Sequence, residues 1–317
     1  MILHNRFQNK VAGSRATLPL CACMSLAMWF LPWQGFDMYV ALGWIACMLT
    51  VYFTMETNAT THLIRIRTRL TSCLWIVLAS FLPFMHPLDK PMLCAVCLAA
   101  SHYLLFKCYQ LRDSQALIYH CFLCLGIGSF CTPIMIAMGV LYCLCLYIFL
   151  RAMTWKGFWA ALLGFITPHW VWVAWHLLTS QAGSLLPWYR TSLSSIVLIP
   201  FGFSQIPRSW MLSTVFIAFL TTVAIVHYMR NNYNDKIKVR MILYIYVFQS
   251  LSLCLMLALV PTEYPTLMAM LMVCASPLLA HYFSLTGSIF SNTLFIVSIV
   301  TYIILAYYNS WTPSSTF

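Results

Sequence analysis

The sequence predicts an all-α polytopic transmembrane bundle, one integral-membrane domain over residues 1–317, crossing the bilayer about 11 times. Composition is the first ground. The chain is 62% hydrophobic and 7% charged, against about 25% charged in soluble domains. Its mean hydropathy is +0.85. The second ground is that the apolar runs are continuous rather than alternating, which points to helices and away from a barrel. The third is the sorting of cations along the chain, developed below.

The apolar runs are taken in order. Met1 to Arg15 carries Arg6, Lys10 and Arg15 and leads into Leu18 to Pro32. No small-x-small cleavage site follows, so this run reads as a retained first span over 17–34 rather than a signal peptide. Further runs fall at 39–55, 70–86, 91–107, 115–131, 133–150 and 157–178. After the longest connection, about 179–208, come 209–228, 240–260, 265–283 and 289–308. Within that connection, "SLSSIVLIPFGFS" (192–204) is too short to span and reads as re-entrant or interfacial.

With the N-terminus cytoplasmic and the sides alternating, the inner loops hold every lysine and arginine of the seventeen except Lys90, Arg190 and Arg208. This obeys the positive-inside rule, and places the C-terminal residues 308–317 outside. The net charge of +11 is then an orientation signal and not a nucleic-acid footprint, since no basic domain lies outside the spans. "HLIRIRTRL" and "HYMRNNYNDKIKVR" read as cytoplasmic anchors facing anionic lipid.

Two spans end in Phe-Leu-Pro followed by an aspartate, at "MWFLPWQGFD" and "ASFLPFMHPLD". Both ends fall outside, and proline stops a helix there. The fourteen cysteines lie almost all within spans. The Cys94/Cys97 and Cys121/Cys124 pairs sit in mid-helix, so they read as small packing residues. No metal set or cofactor motif is evident, and a divalent cation is left open.

For chemistry, the outer face offers Asp37 as a general base beside Trp33 and Phe36, with Arg190 and Arg208 to bind phosphate. Asp89 lies on the same side. His169 and His176, seven residues apart, share one helical face, His169 lying deeper; an aromatic girdle reads the same stretch equally well. His102, His120 and Gln249 in mid-span would suit a transport path.

The stretch 112–178, with "FLRAMTWKGFWAALLGFITP", and the short "WQGFD" resemble a family of uncharacterised polytopic inner-membrane proteins of Bacteroidota. More loosely, the Gly-rich helix, proline and basic turn resemble the middle of the GT-C class of lipid-linked glycosyltransferases. That resemblance implies Asp37 as the catalytic acidic residue of the first external loop. The residues of the outer face themselves add His169 as a second catalytic candidate, with Arg190, Arg208, His176 and Asp89 as candidates to bind a polyprenyl-phosphate-linked sugar. The first external loop is much shorter here than in that class. The expectation is thus an inner-membrane envelope protein with membrane lipids around it, acting as a GT-C-like transferase at the external face. The alternatives are a non-catalytic scaffold for envelope biogenesis or secretion, or a transporter or flippase.

Overall fold

The computed structural model describes residues 6–30, 37–180, 182–194 and 196–311. Among them the chain forms thirteen α-helices and no strand. They are α1 (Phe7–Gly13), α2 (Thr17–Phe30), α3 (Met38–Thr61), α4 (Leu70–Ser80), α5 (Lys90–Lys107), α6 (Gln115–Gly128) and α7 (Ile134–Ile148). After these come α8 (Trp155–Leu178), α9 (Leu185–Ser194), α10 (Arg208–Asn231), α11 (Ile237–Leu259), α12 (Tyr264–Leu285) and α13 (Ile289–Trp311). Each of the eleven apolar runs is a helix; α1 and α9 are additions.

Six helices, α3, α8 and α10 to α13, are long and apolar enough to cross a membrane. The count is seven if α1 and α2, bent by 92° at their junction, make one span. The helices α4, α6 and α7 are apolar but short, and α5 meets the test no better. A run of apolar residues marks burial without saying whether lipid or protein does the burying. The clearest case is α4. Its 11 residues cover about 16 Å, and all but Val77 are buried in the bundle. The run read as 70–86 therefore ends as an α-helix at Ser80, and buried irregular backbone at Phe81 and Leu82, followed by a 3-10 turn over Pro83–Met85, continues it. Irregular backbone at such depth is tolerated when protein surrounds it.

The centre is α12, buried along its whole length apart from Pro265 and Leu285. A helix apolar all round belongs in such a position. Pro277 inside it cannot donate to the Val273 carbonyl, and the Ser276 hydroxyl donates there instead, at 3.3 Å. Helices α6 and α8 approach through glycines. A Cβ on Gly164 would stand 2.2 Å from the Tyr119 carbonyl oxygen, and one on Gly126 2.4 Å from that of Phe165. Small residues let helix backbones close up in this way.

Contacts gather the helix ends at two opposite ends of the bundle. At one, Gln8 meets Asn292, Arg65 meets Asp235, Lys238 lies over Tyr109, and the Gln110 amide donates to the Leu150 carbonyl. At the other, Trp29 stacks on His86, Leu88 donates to the Tyr39 carbonyl, and Asn309 reaches the Phe81 carbonyl. The helices carrying the apolar runs alternate direction between these ends. The first is the basic end; Lys90, Arg190 and Arg208 lie at the far end. Of the segment 192–204, residues up to Ser194 end α9 and 196–199 are irregular. Ile199 and Phe201 donate to the Leu259 and Ala258 carbonyls, so the strap covers the C-terminus of α11, where a helix leaves its last carbonyls without partners.

Candidate functional site

A cleft of about 890 Å³ opens at the basic end. One stripe of α10 makes its wall: Phe219, Thr222, Val223, Val226, His227, Arg230 and Asn231. Spacings of three and four place these on one helical face. Along that face the wall changes from apolar to basic in about three turns. His281, Leu285, Phe290 and the turn Thr286 to Ser288 form the opposite side, and Arg65 and Ile66 close the basic end.

Asp235 organises that end. It follows an Asn-rich turn after α10, and its amide donates to the Asn232 carbonyl at 3.0 Å. The turn is pinned to α11 on both sides: Asn232 Nδ2 donates to the Tyr244 hydroxyl at 2.7 Å, and the Tyr228 hydroxyl to the Arg240 carbonyl at 3.1 Å. The Asp235 side chain is only 1% exposed. Arg65 Nε donates to its Oδ1 at 2.9 Å, and His281 Nε2 donates to its Oδ2 at 3.1 Å. Burial opposes ionisation of this carboxyl, but the hydrogen bond from His281, with the Arg65 guanidinium beside it, outweighs burial and holds it below the ordinary carboxylate range. Arg65 is half exposed, so it joins the buried acid to the mouth of the cleft.

The residues expected at the far end are placed separately. Asp37 is the N-cap of α3, and its carboxylate accepts from the Tyr39 amide at 2.9 Å. Asp89 is the N-cap residue of α5 and is exposed. Trp33 and Phe36, the expected neighbours of Asp37, lie outside the described residues. Arg190 is on α9 and Arg208 opens α10, both exposed. No ion pair joins Asp37 or Asp89 to either arginine among the described residues. His169 Nε2 donates to Ser129 Oγ at 2.7 Å, and its Nδ1 accepts from the Tyr189 hydroxyl at 3.0 Å, which fastens α9 to α6 and α8. His176 is buried and bonded within its own helix, to the Trp172 carbonyl.

In mid-bundle, His102 Nε2 donates to Gln249 Oε1 at 2.5 Å, while His120 is exposed and apart from them. A second concavity of about 520 Å³ is lined by Arg15, Arg67, Thr68 and Arg69 with residues 12–14. The stretch from Ile64 to Arg69 thus sends Arg65 to one cleft and Arg67 and Arg69 to the other. Among the described residues no three His, Cys, Asp or Glu side chains group to hold a metal ion, and all fourteen cysteines are free thiols.

The basic-end cleft was missed in the sequence, where its loops read as lipid anchors. Its α10 stripe was visible there as spacing. The pairing of Asp235 with His281 was not, since 46 residues separate them. No protein-family model, curated protein or solved structure matches the chain.

Proposed function

We propose that this is a multi-pass protein of the cell inner membrane whose basic-end cleft takes a membrane amphiphile with a phosphate-bearing head. In this reading the chain traverses the bilayer eleven times with its N-terminus cytoplasmic, and the short helices traverse as core elements sheathed by long ones. The observation that carries the reading is the α10 stripe, apolar at Phe219, Val223 and Val226 and polar at His227, Arg230 and Asn231, facing one cleft. An acyl or isoprenoid chain suits the first part. The guanidinium groups of Arg65 and Arg230 and the amides of Asn231 and Asn234 suit a phosphate. A polyprenyl-phosphate-linked sugar belongs to this ligand class.

A transferase site at the far end, built on Asp37, His169, Arg190 and Arg208 with Asp89 and His176, has less to support it. The Asp37 carboxylate already caps α3, and His169 is occupied on both nitrogens.

Binding of phosphatidic acid and of a long-chain polyprenyl monophosphate to the detergent-purified protein tests the reading. Arg230→Gln is expected to weaken both by about tenfold, roughly 1.4 kcal/mol, while Arg67→Gln, outside this cleft, leaves them unchanged. Equal binding by wild type and Arg230→Gln would place the ligand elsewhere.

A further inference from the structure

Resting on that reading of the cleft, we propose that His281, oriented by Asp235, is the base that hydrolyses a lipid phosphomonoester held there. Three observations on one side of the cleft converge. His281 lines the cleft, its side chain 8% exposed, and its Nε2–H is committed to Asp235. That bond fixes the tautomer and leaves Nδ1 as the nitrogen carrying the lone pair. A base oriented by a third group is the arrangement that proton-transfer sites share. Second, Arg65 is bonded through Nε to the other oxygen of Asp235 and lines the same cleft. One carboxylate thereby sets both the base and a phosphate-binding guanidinium. Third, Arg230 lines the cleft with them, adding positive charge where a transferring phosphoryl group carries negative charge on its oxygens. The chain has only six acidic residues, and a buried one is costly unless paired on both oxygens. Asp235 is paired on both oxygens, and one of its two partners is the imidazole that lines the cleft.

The reaction is a hydrolysis with water as co-reactant. Nδ1 of His281 takes a proton from water as its oxygen bonds to phosphorus. The bond between phosphorus and the lipid oxygen breaks on the opposite side, the departing oxygen takes its proton from solvent water, and the imidazolium releases its own proton to water afterwards. The products are a lipid alcohol and inorganic phosphate. Asp235 touches no substrate and acts as a positioning residue. The charged and titratable groups around His281 are Asp235 and Arg65 from the two loops, His227, Tyr228 and Arg230 from α10, and Tyr282 beside it.

Phosphate release by the detergent-purified full chain is measured on phosphatidic acid, on a long-chain polyprenyl monophosphate and on glycerol phosphate, with lipid binding followed in parallel. Wild type is expected to release phosphate from a lipid substrate, and the faster of the two identifies its source. His281→Gln should lose at least about a hundredfold in turnover while binding lipid within a few-fold of wild type. His281→Ala should regain release with added imidazole. Asp235→Asn should lower kcat with KM little changed. Wild-type protein that binds lipid without releasing phosphate overturns the dyad and leaves the amphiphile reading standing. Glycerol phosphate hydrolysed as fast as the lipids overturns the amphiphile reading and leaves the dyad. Release by His281→Gln at the wild-type rate also overturns the dyad.

Discussion

Two aspartates that look alike in the sequence both stand at helix starts. Asp37 and Asp89, each a few residues beyond Phe-Leu-Pro, occupy the N-cap positions of α3 and α5, where negative charge suits the helix dipole, but only the Asp37 carboxylate accepts an end amide, that of Tyr39. Asp235 differs because both its oxygens are bonded to side chains far away in sequence. Its depressed pKa gives a signed prediction. A carboxyl held low in the fold contributes stability that is present above its unfolded value, about 3.9, and lost as pH falls through the lower folded value. Asp235→Asn should therefore lower the thermal stability of the detergent-solubilised protein at pH 7. The cost is about 2 kcal/mol, below that of a fully buried pair because Arg65 is half in solvent. The gap from wild type should begin to narrow below about pH 4, where Asp235 of the unfolded chain takes up a proton, and close as pH falls through the lower folded value. A gap that stays constant with pH contradicts the ionised pair.

Helix pairing rests on contacts that composition hides. The predicted runs all became helices, some shortened, because a continuous apolar run buried away from water leaves the backbone few other ways to satisfy itself. What each helix faces was not legible. Both α12 and α13 are apolar throughout in sequence, yet α12 is fully sheathed and α13 presents Ile299, Val300, Ile303 and Ile304 outward. The "LLGFIT" segment read as part of a resemblance has a plain physical role, since Gly164 lets α8 lie against the α6 backbone. Gly164→Ala puts a methyl where a carbonyl oxygen stands at 2.2 Å. It should cost about 1–3 kcal/mol through forced separation of the helices, read as a lower unfolding temperature. A neutral result would mean that the two helices do not approach this closely.

Over the whole molecule, the cations were the most legible feature and the cleft the least. Positive charge sorts along the chain with every reversal of direction, so alternation of the helices between two ends could be read from lysine and arginine positions alone. The cleft needs α10, α12, α13 and the loop at Arg65 together, and nothing local announces that assembly. Under the proposed threading the basic end would face the cytoplasm and the cleft the inner leaflet, where the surface potential is negative and an anionic head would enter from lipid.

The most direct test is sidedness in intact cells, using a cysteine-free background carrying single exposed cysteines at Lys90, Arg67 or Asn234. A membrane-impermeant thiol reagent should label Lys90→Cys from outside and reach Arg67→Cys and Asn234→Cys only after the membrane is opened. Labelling of Asn234→Cys and Lys90→Cys from the same side would contradict the threading and remove the cleft from the inner leaflet.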